Sequence, residues 1–115
     1  MVDARRIFGN EGERLAAAFL QEKGYKILER QYTTRFGEID LVARDGDEIV
    51  FVEVKTRKTL DFGFPEESVT GEKLEKIMRV GEWYLQQVGL SGADCRVDVI
   101  AIHGLDIKHF KGVGA

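Results

Sequence analysis

The stretch 37–57, GEIDLVARDGDEIVFVEVKTR, decides the fold. Its two apolar runs have strand length, and the DGD between them is a hairpin signal, so 37–44 and 48–57 read as antiparallel neighbours. Side chains alternate along a strand, which puts Glu38, Asp40 and Val42 on one face and Ile39, Leu41 and Ala43 on the other. Pairing 43 with 50, 41 with 52 and 39 with 54 brings all the aliphatic partners together. It also sets Val42 against Phe51, Asp40 against Glu53 and Glu38 against Lys55. Two carboxylates then share one face of an otherwise apolar strand pair, opposite each other or, after a two-residue slip, diagonal.

Opposed like charges destabilise a sheet unless a cation lies between them or one group is protonated. A divalent metal removes the conflict, and hard carboxylate oxygens suit magnesium or manganese better than zinc. Asp40 and Glu53 are therefore candidate metal ligands. Lys55, two residues after Glu53 on the same face, could orient or deprotonate an attacking water, or stabilise charge on a phosphorane. Glu53→Gln should then leave the fold intact or relieve repulsion. The competing reading is a polar sheet face, with Glu38 and Lys55 as a cross-strand ion pair. Against it stands IVFVEV, apolar on both faces before Glu53, the pattern of a strand buried on both sides.

Upstream, Leu15, Ala16, Phe19 and Leu20 recur at helical spacing between Asn10, a possible cap, and Gly24, a stop, which predicts a helix over 10–23. Residues 25–34 read as a further strand. Downstream, KTLDFGFPEESVTG, 58–71, holds the only proline and reads as a loop of a length that is often functional. A second helix is expected over 71–88, with Leu74, Ile77, Met78, Gly81, Tyr84, Leu85 and Val88 facing inward. CRVDVIAI, 95–102, is a strand and DIKHFK, 106–111, a short last one; the terminal GVGA should fray.

Glu13 has two readings. It stands at capping-box spacing from Asn10, and it also lies at the edge of the apolar stripe, from which it could join the metal site. Asp98, inside RVDVIAI, reads as a structural carboxylate bonded to backbone or to an arginine.

With 115 residues and 43% hydrophobic content, the chain has enough for one domain with one core. The start lacks the order of a secretory signal and no apolar run is long enough to span a bilayer, so a cytoplasmic protein without a membrane partner is expected. One cysteine, Cys95, excludes an internal disulfide, and two histidines beside it argue against a Cys/His zinc site. The net charge of −3 gives no general attraction to a polyanion. Phosphate contact would need a local patch, for which Arg5, Arg6, Arg35, Arg57, Lys58, Lys73 and Lys76 are candidates.

GNEGERLAAAFLQEKGYKIL, RFGEIDLVARDGDEIVFVEVKTR, FGFPEESVTGEKLEKI and CRVDVIAI together resemble the PD-(D/E)xK nuclease superfamily, and more closely the bacterial YraN-like family, which is similar to archaeal Holliday-junction resolvases. The resemblance implies a restriction-endonuclease-like α/β fold, a mixed sheet flanked by helices. It also implies Asp40, Glu53 and Lys55 as a catalytic triad, Glu13 as the helix carboxylate of the resolvase branch, and Arg57 and Lys73 at positions suited to phosphate. Ile39 replaces the superfamily's proline, and RQYTTR departs from the asparagine and arginine often found in that strand, which bears on substrate contacts. The expected protein is a magnesium- or manganese-dependent endonuclease acting on DNA, branched DNA included. Symmetric junctions favour a homodimer. The rival class is a nucleic-acid-binding or protein-interaction module that keeps the nuclease fold without cleaving.

Overall fold

A computed structural model describes residues 4–57 and 69–114, and the side chains from residue 11 onward within them. Helix α1 (Ala4–Glu22) leads into β1 (Lys26–Thr34), β2 (Gly37–Asp45) and β3 (Glu48–Thr56); helix α2 (Gly71–Gln87) follows, then β4 (Cys95–His103) and β5 (Asp106–Phe110). The five strands form one sheet in sequence order. β3 and β4 are parallel, as the crossover through α2 requires, and every other neighbouring pair is antiparallel. This is the α/β, restriction-endonuclease-like architecture that the sequence predicts. The loop expected over 58–71 falls largely outside the described residues, as does Lys58.

Each face of the sheet buries one helix. Ala16, Ala17 and Leu20 of α1 pack on Leu41, Ala43, Val50, Val52, Ile100 and Ile102. On the other face Ile77, Val80, Tyr84 and Leu85 of α2 cover Val42, Ile49, Phe51, Val97 and Val99. Gly81 permits the second contact: a Cβ there would lie 2.5 Å from the Phe51 ring. Both helices end on a glycine in the left-handed region. Gly24 (φ 92) and Gly89 (φ 75) each close a paired turn, in which Tyr25 N and Leu90 N reach back to Leu20 O and Leu85 O.

Several expectations need correction. α1 begins at Ala4, so Asn10 lies inside it and is not its N-cap position, which removes the capping-box reading of Glu13. Gly9 and Asn10 are weak helix formers, and propensity alone therefore placed the start too late. Val88 is 46% exposed rather than inward-facing, because α2 has ended before it. The tail does not fray through residue 114: Val113 N donates to Val97 O at 2.8 Å and its side chain packs on the α2-side core.

Candidate active site

The β2–β3 hairpin adopts the register that aliphatic matching predicts, with Leu41 opposite Val52, Val42 opposite Phe51 and Ala43 opposite Val50. The ladder stops there. β2 continues on β1 as far as Gly37 opposite Thr34, whereas β3 continues on β4 through Thr56 opposite Ile102. The two strands therefore part at Asp40 and Glu53, and a cavity of about 240 Å³ opens at the fork. It is lined by Gly37, Glu38, Asp40 and Glu53 from the strands and by Lys73, Lys76 and Ile77 from α2.

Asp40 stands where pairing fails on both sides. Toward β3 its Oδ2 accepts a hydrogen bond from Val54 N at 2.7 Å, so the side chain replaces the missing ladder bond. Toward β1 the residue in register is Gln31, whose φ of 51 is the only positive value at a non-glycine among the described residues. This interruption overturns one expectation of strict alternation: Ile39 packs with Val42 on the α2 face, not with Leu41 and Ala43.

The site has an acidic half and a lysine half. Glu13, Glu38 and Asp40 each offer a carboxylate oxygen within 4.8 Å of the others. Burial, then the charge of Glu53, then the neighbouring Glu13 and Glu38 push Asp40 up to about 7, and the bond from Val54 N offsets only part of this. Burial also raises Glu13, against hydrogen bonds to Gln31 and Asp40. Glu13 reaches this place because α1 passes close to β3: a Cβ on Gly12 would lie 2.8 Å from Thr56 Oγ1.

Across the cavity, Lys73 Nζ and Lys55 Nζ lie 2.7 and 3.4 Å from the same Glu53 oxygen. Burial and the adjacent Lys73 hold the Lys55 ammonium below its usual range. Burial would lower Lys73 too, but its contacts with Glu53 and Lys55 and the charges of Glu53 and Asp40 together raise it. Thr70 caps α2, its hydroxyl accepting from Lys73 N at 3.2 Å, and this anchors the backbone from which Lys73 extends.

The structure thus brings together Glu13, Asp40, Glu53, Lys55 and Lys73, with Lys76 on the rim. Glu38 and Lys55 do not face each other; Glu38 joins the carboxylates and Lys55 turns to Glu53. Glu38 was missed as a site residue, although its position two before Asp40 on one strand was a usable signal. Arg57 directly follows β3, and its N–H donates to Ile102 O at 2.7 Å. Arg35 sits in the β1–β2 turn with its guanidinium carbon 5.0 Å from the Phe36 ring centroid. The side chains of Arg5 and Arg6 lie outside the described residues.

Asp98 is the structural carboxylate expected of it. It is fully buried, and it accepts from Arg96 Nε at 2.9 Å, Gly112 N at 3.0 Å and His109 Nε2 at 2.7 Å. His109 Nδ1 in turn accepts from Lys23 Nζ at 3.0 Å, which leaves Nε2 to donate. Arg96 also binds Glu48, Asp45 and the Tyr25 hydroxyl.

A mixed sheet between two helices, with carboxylates and lysines gathered where two strands part, defines a restriction-endonuclease-like domain. Residues 12–102 match the model of the uncharacterised protein family UPF0102, to which the chain belongs. It is 50% identical over 102 residues to a UPF0102 protein of Moorella thermoacetica, covering 89% of this chain and 85% of that one. A UPF0102 protein of Pelotomaculum thermopropionicum is 45% identical over the same length and coverage. One from Persephonella marina is 42% identical over 105 residues, 91% of this chain and 90% of its own. Among the described residues no helix is long and apolar enough to cross a membrane.

Proposed function

We propose that the chain is a magnesium- or manganese-dependent endonuclease that hydrolyses DNA phosphodiesters, branched or junction DNA being the substrate class. The observation that carries this reading is Asp40, raised to about 7 at an interrupted point of the sheet with Glu13 and Glu38 beside it and Glu53 across one cavity. A strand pair loses hydrogen bonds and gathers like charges there, a cost that folding alone does not explain.

The donor set fits a hard divalent cation: it is all carboxylate, and the cavity leaves room for water and a phosphate oxygen. Asp40 would hold the ion with Glu13 and Glu38, whose oxygens converge on it, and Glu53 would join them from across the cavity on the oxygen its lysines leave open. Bound there, it supplies a positive charge that neutralises the carboxylates and polarises the scissile phosphodiester. Lys55 orients the attacking water, and its lowered ammonium range makes the neutral, proton-accepting form less costly than in an ordinary lysine. Lys76, Arg57 and Arg35 provide cations for the flanking phosphates, with Lys58 next in sequence after Arg57, while Lys73 is held on Glu53. A DNA substrate suits a cytoplasmic protein, and two copies about a two-fold axis would match a symmetric junction.

Labelled branched, nicked and linear DNA incubated with magnesium or manganese provides the test. Cleavage should require the metal, and Lys55→Ala should abolish turnover while metal binding persists. Nucleic-acid binding without cleavage under either metal would favour the non-catalytic module.

A further inference from the structure

About two helical turns from the cavity, the chain carries an aromatic step that the proposed chemistry does not use. Trp83, the only tryptophan, is 38% exposed. Its ring meets Phe36 edge-on, with centroids 5.8 Å apart at 64°, and Arg35 lies over Phe36. The step is held in place. Thr34 Oγ1 accepts from Phe36 N at 3.0 Å, Phe36 packs against the α2-side core, and a Cβ on Gly37 would touch Val80 of α2 at 3.5 Å. Beneath it Tyr32 and Tyr84 form a second edge-on pair, 5.2 Å between centroids.

Two paths join this step to the cavity. Along α2, Lys76 on the cavity wall and Trp83 are seven residues apart, nearly in line on the helix and about 10 Å along it. Along the strand, Phe36 is followed by Gly37 and Glu38 of the cavity wall. Lys76 and exposed Arg79 supply two cations along this stretch of α2, with Glu75 and Glu82 a turn to either side of Arg79. An exposed tryptophan ring with a partly buried phenylalanine and cations beside it suits the flat face of a base next to its phosphates, and bases inside a duplex have no free face to offer.

We propose that Trp83, Phe36 and Arg35 form a stacking platform for an unpaired nucleobase, with Lys76 and Arg79 holding the backbone between platform and cavity. The partner is a nucleic acid with a single-stranded segment beside the bond to be cut. The platform rests on the nucleic-acid reading of the cavity and narrows its substrate class.

Because Trp83 is the sole tryptophan, its fluorescence reports the platform directly. The full chain is titrated with a fluorescently labelled single-stranded oligothymidylate and, separately, with a labelled blunt duplex of equal length, reading tryptophan emission and label anisotropy together. The single strand should quench Trp83 and the duplex should not. Trp83→Leu should weaken single-strand binding about ten- to a hundredfold, Trp83→Phe should restore most of it, and duplex affinity should stay unchanged. Single-strand binding that leaves the emission and the Trp83→Leu affinity unaltered overturns the platform while the nuclease reading stands. An emission shift driven by protein concentration alone assigns the face to a second copy and also overturns it. Failure to bind any nucleic acid overturns both.

Discussion

Two carboxylates sit deep in the same sheet, and the molecule treats them in opposite ways. Asp98 on β4 is surrounded by donors: Arg96, His109 and the Gly112 N–H. Burial would raise its pKa, yet these bonds outweigh it and the carboxyl titrates below its ordinary value. Asp40 on β2 has the Val54 N–H for one oxygen and three further carboxylates as neighbours, and it is pushed up to about 7. Burial acts in the same direction on both. The difference lies in what the fold sets around each: donors and cations at Asp98, further carboxylates at Asp40.

Breaking the satisfied cluster should have the largest effect. Asp98→Asn leaves Arg96 and His109 without their shared anion, and removing one partner of a buried pair costs about 3–5 kcal/mol. Urea unfolding should show a loss of that size; a midpoint equal to the parent's would mean that Asp98 is not the structural hub described here.

Asp40→Asn should do the reverse. The amide oxygen can still accept from Val54 N while the repelling charge disappears, so the variant should be more stable at pH 8 by about 2 kcal/mol. The sign follows from the shift. A carboxyl whose pKa rises from 3.8 to about 7 on folding binds more protons folded than unfolded between those values, so the parent loses stability as pH rises through that window. The Asn gain should therefore shrink below pH 7 and vanish near pH 4. The lowered pKa of Asp98 gives the opposite dependence: its contribution is complete above 3.8 and is lost as pH falls through its folded value. Stability curves of both variants from pH 3 to 8 should diverge from the parent on opposite sides of about pH 4. Parallel curves would contradict the contrast.

Glu53→Gln should be milder, and opposite in sign to the expectation from opposed strands. Relief of repulsion was the reason to expect a neutral or stabilising change. With Lys73 and Lys55 both on Glu53, the amide instead strands two half-exposed ammonium groups, a loss of about 1 kcal/mol. Thermal unfolding without divalent metal checks this, and a rise in midpoint would restore the repulsion reading.

The legible features were those written in local pattern. Strand alternation and aliphatic matching across DGD gave the 41–45 with 48–52 register, and the same pattern marked Asp40, Glu53 and Lys55 as misplaced charges. The features that stayed hidden depend on distant parts of the chain. Nothing within 37–57 says that the ladder ends at Asp40, because beyond that point β2 continues on β1 and β3 on β4, partners that lie outside the stretch. Lys73 looked like a phosphate contact, and only the packing of α2 places it on Glu53. The donors around Asp98 come from residues up to fourteen positions away, His109 and Gly112 among them, so sequence showed the carboxylate without its partners.

Calorimetric titration with magnesium, in the parent, Asp40→Asn and Asp98→Asn, asks whether the carboxylates around Asp40 take up a cation. A saturable heat is expected in the parent, with its loss in Asp40→Asn although that variant is the most stable of the three, and its retention in folded Asp98→Asn. Equal heats in the parent and Asp40→Asn, whether negligible or substantial, would contradict a cation site at Asp40.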